Sequence, residues 1–402
     1  MSKDSVQYNK KSVVDMDFRG KKVLLRCDFN VPLDKATGKI TDEGRIIAAL
    51  PTIKYLLDNG AAVIACSHLG RPKGEWLPEL SLMPVAESLS KHLCIPVKMA
   101  KDVIGEDAKA LASELKPGEI MLLENLRYHK EETKNDPEFA RELASLADVF
   151  VSDAFGTVHR AHASTEGVSH YLPAVSGFLL KKELDNIGGA ISNPKRPLVA
   201  ILGGAKVSDK LGVINNLLEI ADVIIVGGGM AYTFLKAQGG NIGKSLCEDS
   251  EMESVLKMMD EAKKRGVKLL LPCDTVASAE FSNDCESVVV PSNDIPDSMM
   301  GLDIGPKASN EFAEEIANAG TIVWNGPMGV FEFSKFANGT FAVANAVAES
   351  PAASIIGGGD SAAAVRKFGL EDKITHISTG GGASLEFMEG KVLPGIACLL
   401  DK

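Results

Sequence analysis

The sequence offers nothing to a disulfide framework. Its cysteines, at 27, 66, 94, 247, 273, 285 and 398, number 7 and none is spaced as a Cys-x-x-Cys pair. Neither a disulfide scaffold nor a zinc ribbon is implied, and a reducing compartment fits. Long apolar runs are missing too. No uninterrupted stretch approaches the ~18–20 residues that a membrane span requires, and the opening MSKDSVQYNKK is polar, without the apolar core of a secretory signal. A cytoplasmic location is therefore expected. Positive charge is in deficit: 43 Lys and Arg against 54 Asp and Glu leave a net charge of −11. That argues against sequence-independent nucleic-acid binding and against a polybasic membrane anchor, but leaves room for local basic pockets that hold small anions. Asn338-Gly339-Thr340 matches the glycosylation triplet and, without a secretory signal, reads as coincidence.

Several familiar nucleotide motifs are absent as well. GGNIGKS (239–245) imitates a P-loop, but its required first glycine falls on Gln238, and the preceding TFLKAQ reads as a helix end rather than a strand. No Gly-x-Gly-x-x-Gly opens a βαβ unit, which weakens a dinucleotide oxidoreductase. No protein-kinase HRD and DFG set is present. HRAH (159–162) brings two histidines close without the further partners of a catalytic zinc site.

What is present alternates regularly. Apolar or β-branched runs occur at KVLLRCDFN (22–30), AAVIACSHLG (61–70), IMLLENLR (120–127) and DVFVSDAFG (148–156). A second group follows at LVAILGGAK (198–206), DVIIVGGGM (222–230), KLLLPCD (268–274), TIVWNGPMG (321–329), SIIGGGDS (354–361) and HISTGGG (376–382). Helical patterns lie between them, such as RIIAALPTIKYLLDNG (45–60) and SEMESVLKMMDEAKKRG (250–266). Continuously apolar strands alternating with helices predict parallel sheets covered on both faces. A length of 402 residues suits two or three domains. Between the groups lies GFLLKKELDNIGGAISNPKRP (177–197), whose first part reads as an amphipathic helix and whose end is punctuated by Gly188-Gly189, Pro194 and Pro197. The expected organisation is a first domain over 1–180, a helical hinge over 181–197, a second domain over 198–385 and a terminal segment over 386–402.

In open parallel sheets, ligands bind beyond the carboxyl ends of the strands. In the first half those ends carry Arg26, Asp28, Asn30, His68, Arg71, Glu124, Asn125, Arg127 and Asp153, followed by His159, Arg160 and His162, with Arg45 shortly after the first. In the second half they carry Gly203-Gly204, Gly227-Gly228-Gly229, Asn325-Gly326-Pro327, Gly357-Gly358-Gly359-Asp360-Ser361 and Gly380-Gly381-Gly382. Planar guanidinium forks suit carboxylate and phosphate. Glycines let backbone approach a ligand, and a following helix offers free N–H groups to phosphate. The first half therefore reads as a pocket for a small, highly charged anion and the second as a nucleotide site. Lys206 and Lys210 fit this reading: one turn apart on a helix start they would share a face, at an end that disfavours cations unless a polyphosphate sits there. Asp360, beside a glycine run and a helix start, is a candidate partner for Mg²⁺.

From end to end the chain resembles phosphoglycerate kinases. The matching segments, in family order, are RCDFNVP (26–32), DEGRI (42–46), SHLGRPKG (67–74), ENLRYHKEE (124–132), SDAFGTVHRAHAST (152–165), GGAKVSDK (203–210), GLDIGP (301–306), WNGPMGVFE (324–332), GGGDS (357–361) and STGGGASLE (378–386). The resemblance implies two doubly wound α/β lobes with parallel, Rossmann-like sheets, joined by a helical hinge that closes on substrate. It implies 3-phosphoglycerate or 1,3-bisphosphoglycerate on the first lobe, at Asp28, Phe29, Asn30, Arg45, His68, Leu69, Gly70, Arg71, Arg127 and Arg160. It implies Mg-ADP or Mg-ATP on the second, at Lys206, Lys210, Gly301, Asn325, Glu332, Gly358, Gly359, Asp360 and Ser361, with Glu332 on the ribose and Asp360 on the metal. A C-terminal segment returning to the first lobe and a monomeric state are implied too. Ser361 stands where the family often has Thr, and Cys27 where Val is common.

The transfer implied is from an acyl phosphate to ADP, and in reverse. Both attacking groups are ionised at neutral pH, so no general base is required. Arg45, Lys206 and the N–H groups of Gly358 and Gly359 are the expected neutralisers of charge on the moving phosphoryl group. On the residues alone, a dehydrogenase and a non-catalytic sensor of nucleotide and phosphorylated metabolite remain as other readings.

Overall fold

The computed structural model describes residues 9–402, and the polar stretch MSKDSVQY lies outside the described residues. The chain folds as two compact units, one of residues up to Asp185 together with Val392–Lys402, the other of Asn186–Lys391.

The first unit is built on β1 (Lys22–Cys27), β2 (Ala62–Cys66), β3 (Val97–Met99), β4 (Ile120–Leu122), β5 (Val149–Asp153) and β6 (Ala174–Ser176). They pair in parallel in the order β3-β4-β2-β1-β5-β6. β2, β4 and β5 are buried along their whole length, as a sheet covered on both faces requires. The helix Gly44–Asp58 turns Ile46, Ala49, Ile53 and Leu56 to one side, a stripe at helical spacing. That stripe packs with Val23, Leu25, Val63 and Val151 in one core. Each large aliphatic side chain buried there is worth about 1.5–3 kcal/mol. The helix Pro137–Ala144 starts where Asp136 accepts the N–H groups of Glu138 and Phe139, with Pro137 in the first turn. Two termini meet in this unit: Leu400 N–H donates to Ala174 O at 2.9 Å and Lys11 N–H to Leu400 O at 2.8 Å.

The second unit contains β7 (Leu198–Leu202), β8 (Val223–Val226), β9 (Asn241–Ile242), β10 (Lys268–Leu270), β11 (Asp274–Ser278) and β12 (Val288–Pro291). It continues with β13 (Asp294–Ile295), β14 (Met300–Ile304), β15 (Thr321–Asn325), β16 (Ala353–Gly357) and β17 (His376–Ile377). Its main sheet is parallel, in the order β10-β8-β7-β15-β16-β17. An antiparallel sheet β12-β11-β14 and the short pair β13-β9 are inserted in sequence between strands of the main sheet. Trp324, fully buried among Ile201, Ile356, Phe312 and Val343, donates its indole N–H to Gly326 O at 2.7 Å, which anchors the turn after β15.

Each strand-like run of the sequence overlaps one strand of a main sheet, and β1, β2, β7, β8 and β17 stop just before the polar or glycine residues begin. Two main-sheet strands, β3 and β6, lie outside those runs. The first part of the stretch 177–197 is helical: Phe178–Glu183 continues through a π-turn, Leu184–Gly188, into Gly189–Ser192, and the helix ends before Pro194. Both main sheets reverse their winding once, between β1 and β5 and between β7 and β15. Loops diverge at such points, and the crevice they leave is where doubly wound folds take ligands.

Candidate functional site

In the first unit the loops after β1, β2, β4 and β5 converge. Arg45, near the start of its helix, pairs with Asp28 just past β1 at 2.6 Å. Asp28 Oδ1 accepts the Asn30 N–H at 3.2 Å, Asn30 Oδ1 accepts the Gly70 N–H at 2.8 Å, and Gly70 O accepts from Arg127 at 2.8 Å. One hydrogen-bonded chain thus runs Arg45–Asp28–Asn30–Gly70–Arg127. Beside it, Arg71, Arg127, Arg160 and His162 line a cleft of about 570 Å³ with Lys73, His129, Lys130 and Lys134. No acidic residue lines that cleft.

The electrostatics record an excess of cations. Burial, with Arg26 and Arg160 beside it, pulls Arg127 down to about 10. Burial and the neighbouring Arg127, Arg26 and Arg160 push His162 down to about 4. Burial and the same kind of neighbours hold His68 well below the usual histidine range. Like charges packed into a partly desolvated cleft disfavour their own ionisation, and an anion would relieve all of them at once.

Phe29 and Leu69 differ from the others. Both side chains are buried in the core. The Phe29 N–H is spent on Ser67 Oγ at 2.8 Å, and the Leu69 N–H and C=O are both held by Asn125. These residues shape the loops and present no side chain to a ligand. Cys27 is fully buried, and burial, Asp153 and Cys66 raise its thiol well above the ordinary value, so it is inert.

In the second unit the loops after β7 and β15 and the starts of two helices enclose a cleft of about 370 Å³. It gathers Gly203, Gly204, Lys206, Lys210, Asn325, Gly358, Gly359, Asp360 and Ser361, with Gly381 and Gly382 opposite. The loops are locked together: Gly203 N–H donates to Asn325 O at 2.9 Å and Gly204 N–H to Pro327 O at 3.0 Å. A Cβ on Gly203 would stand 2.1 Å from Pro327 O, so only glycine permits this approach. Gly358 has φ +88° and turns the chain from β16 into the helix Gly359–Lys367, whose first turn carries Asp360. Ser361, fully buried, accepts the Gly326 N–H at 2.6 Å and fixes the turn after β15.

The lysines sit differently from the expectation. A 3₁₀ turn, Ser208–Lys210, precedes the helix Leu211–Ile220, so Lys206 lies in the loop and Lys210 at the helix cap. They share the cleft rather than a helix face. Lys206 is exposed, whereas burial lowers Lys210, whose Nζ donates to Asn325 Oδ1. Gly301 and Glu332 are not among the cleft's lining residues. Gly301 lies in β14, and the loop that carries Glu332 touches that strand where Val330 N–H donates to Leu302 O at 2.8 Å. The sequence reading missed Leu385 in the second cleft, and Lys73, Lys130 and Lys134 in the first. Lys73, Lys130 and Leu385 lie inside segments that carry the resemblance but were given no role there, and Lys134 has no signal beyond its charge.

Among the described residues, no group of three or more His, Cys, Asp or Glu side chains is placed to hold a metal ion. HRAH is therefore part of no such group. Asp360, which lines the phosphate-sized cleft together with Asp209, fits Mg²⁺ in its usual mode, carried by one or two carboxylates plus the ligand's phosphates rather than by a protein cage. Among the described residues, no helix is long and apolar enough to cross a membrane.

Comparison with known proteins agrees with this layout. The family model described as phosphoglycerate kinase matches residues 13–391. A phosphoglycerate kinase of Clostridium botulinum is 60% identical over 400 residues, covering 99% of this chain and 100% of the relative. One of Clostridium novyi is 61% identical over the same span, covering 99% and 100%. Among solved structures, the phosphoglycerate kinase of Coxiella burnetii matches with a TM-score of 0.91 and 45% identity, over 97% of this chain and 98% of that one. The enzyme of Pyrococcus horikoshii matches with a TM-score of 0.80 and 35% identity, over 97% and 98%.

Proposed function

This chain belongs to the phosphoglycerate kinase family, and from that premise we propose how its residues divide the work of the reaction. The reaction is reversible phosphoryl transfer between 1,3-bisphosphoglycerate and ADP, giving 3-phosphoglycerate and ATP, a step of glycolysis and gluconeogenesis. The enzyme is a phosphotransferase with a carboxyl group as acceptor.

In our reading the first unit holds the three-carbon substrate. Arg71, Arg127 and Arg160 clamp its distant phosphate, and Asp28, Asn30, Arg45 and His68 orient the carboxyl end. Binding energy at the unreactive phosphate is used to position the reactive oxygen. The second unit holds the nucleotide. Lys206, Lys210 and the N–H groups of Gly358 and Gly359 meet its phosphates, Asn325 and Ser361 support the turn, and Gly301 and Glu332 serve the nucleoside end. Asp360 holds Mg²⁺ together with those phosphates; the ion would supply charge neutralisation on the phosphate oxygens. Arg45 and Lys206 neutralise the equatorial oxygens of the phosphoryl group in transit, since positioning and electrostatics carry most of the catalysis in such transfers. The net charge of −11 supports the part of the reading that has no nucleic-acid or polybasic membrane partner. The reading is completed by a cytoplasmic location and by the monomeric state that the family resemblance implies.

One observation carries the division: Lys206, Lys210, Asn325, Gly358, Gly359, Asp360 and Ser361, from three separate sequence segments, line a single cleft at the β7/β15 reversal. Calorimetry on Arg71→Ala and Lys206→Ala tests it. Arg71→Ala should weaken 3-phosphoglycerate at least ~10-fold and leave Mg-ADP unchanged, and Lys206→Ala should do the reverse. Both variants losing the same ligand would reject the division.

A further inference from the structure

Arg26 is absent from the site assigned above, and it is 1% exposed. It is the fifth residue of β1 and pairs in register with Cys66 of β2, two residues before His68. His68 lies in the loop just past β2, and its ring meets the Arg26 guanidinium. A buried guanidinium is tolerable only when its donors and its charge are met. Arg26 Nε donates to Ser164 Oγ at 2.9 Å, one Nη donates to Cys27 O, and the other lies 3.1 Å from His68 Nδ1. Ser164 passes the contact on: its hydroxyl donates to Glu132 Oε1 at 2.6 Å and its N–H to Glu132 Oε2 at 3.0 Å. Glu132 is itself 1% exposed, so a buried carboxylate stands one hydroxyl away from the buried guanidinium.

We propose that Arg26 is a positioning residue that locks His68 as the neutral tautomer with its proton on Nε2. A guanidinium has five N–H donors, no acceptor and no accessible deprotonated form. Nδ1 of His68 must therefore accept, and the one ring proton of the neutral imidazole must sit on Nε2. Protonating Nδ1 would press N–H against N–H on a permanent cation. The other charged or titratable groups that face His68 are Arg127 from the turn after β4, Arg45 from the helix after β1, and His162; each, like burial, opposes a charged ring. Glu132, the nearby carboxylate, is engaged by Ser164 and faces His162 at 3.8 Å. His68 thus offers one fixed donor over the whole working pH range and leaves the anion's charge to the arginines. This rests on the reading above that His68 touches the three-carbon substrate.

The test uses the full chain with ring-¹⁵N histidine and long-range ¹H–¹⁵N correlation spectra, first without ligand. His68 should show the Nε2–H pattern and no titration from pH 5.5 to 8. An Nδ1–H pattern, or a cationic ring at pH 6, in the wild type overturns the proposal without any variant. In Arg26→Met, His68 should titrate between pH 5 and 7 or populate the other tautomer. The KM for 3-phosphoglycerate should then change at least ~3-fold between pH 6 and 8, with the KM for ATP following the wild-type profile. Arg26→Lys, which keeps a donor-only cation, should restore the Nε2–H pattern at least in part. If Arg26→Met does not fold, Ser164→Ala, which frees Nε and loosens the guanidinium, should broaden or mix the His68 tautomers. A variant ring locked as in the wild type would overturn the proposal. Adding 3-phosphoglycerate to the wild type separates the two claims. An unmoved His68 signal with the tautomer as stated would sink the substrate contact and leave the Arg26 assignment standing.

Discussion

Lys210 Nζ donates to Asn325 Oδ1 at the point where β7 and β15 part. The amide is fixed at its other end by position alone, because Asn325 Nδ2 is buried without a partner. The lysine is thereby held half-buried at the phosphate end of the cleft, where a flexible side chain would otherwise lose entropy on binding. Removing its charge in Lys210→Met should weaken ADP about 10–100-fold, the worth of one charged hydrogen bond. Affinity for 3-phosphoglycerate should stay as it was. Titration calorimetry with each ligand reads both values.

Two glycines of the same cleft should respond oppositely to a methyl group. In Gly203→Ala the Cβ meets the backbone oxygens of Pro327 at 2.1 Å and Gly326 at 2.7 Å, which cannot step aside. Thermal or urea unfolding should show a loss of about 1–3 kcal/mol or more. In Gly359→Ala the Cβ meets nothing within 4 Å. That variant should unfold like the wild type, while its methyl group intrudes on the cleft and raises the KM for ATP several-fold. An unchanged KM for ATP would move the nucleotide out of this cleft.

Asp153 links stability to pH. It ends β5, is buried, and burial lifts it from the usual 3.8 to about 6 despite the Leu180 N–H that it accepts at 3.1 Å. Its Oδ2 is buried without a partner, a place suited to a proton. The folded state therefore holds this proton more tightly than the unfolded one. The stability it contributes is full below pH 3.8 and is lost as pH rises through about 6. Asp153→Asn keeps an acceptor for Leu180 and removes the charge. Relative to wild type, its unfolding free energy should gain about 2–3 kcal/mol between pH 4 and pH 7.5. A difference that stays constant over that window would contradict the assignment.

The contrast between the two halves was plain in the sequence because strand ends and ligand sites coincide in parallel sheets. Arginine-bearing ends and glycine-bearing ends could be sorted before any contact was known. β3 and β6 escaped because three residues give too little pattern: Val-Lys-Met at 97–99 is only half-buried, and Ala-Val-Ser at 174–176 has one large apolar residue. The runs drawn from the sequence reach past the strands into DFN after β1 and GGAK after β7, the polar and glycine residues that the same reading assigned to the ligand-binding ends. The lysine geometry was read one turn wrong because the 3₁₀ turn at Ser208–Lys210 has no composition of its own. Arg26 looked like a ligand contact at a strand end. Only its burial, and the partners Ser164 and His68 that lie 138 and 42 residues away, reveal that it faces inward.

The central claim is that Arg45 and Lys206 carry acyl-phosphate chemistry by neutralising charge. The measurement that bears on it most directly is formation of hydroxamate when the protein is given Mg-ATP, 3-phosphoglycerate and hydroxylamine, since only an acyl phosphate yields that product. Wild type should form it steadily. Arg45→Ala and Lys206→Ala should each form it about 10²–10³-fold more slowly at saturating substrates, the cost of removing one such stabilising group. Variants that keep the wild-type rate once saturated would reduce both residues to binding roles and contradict the account.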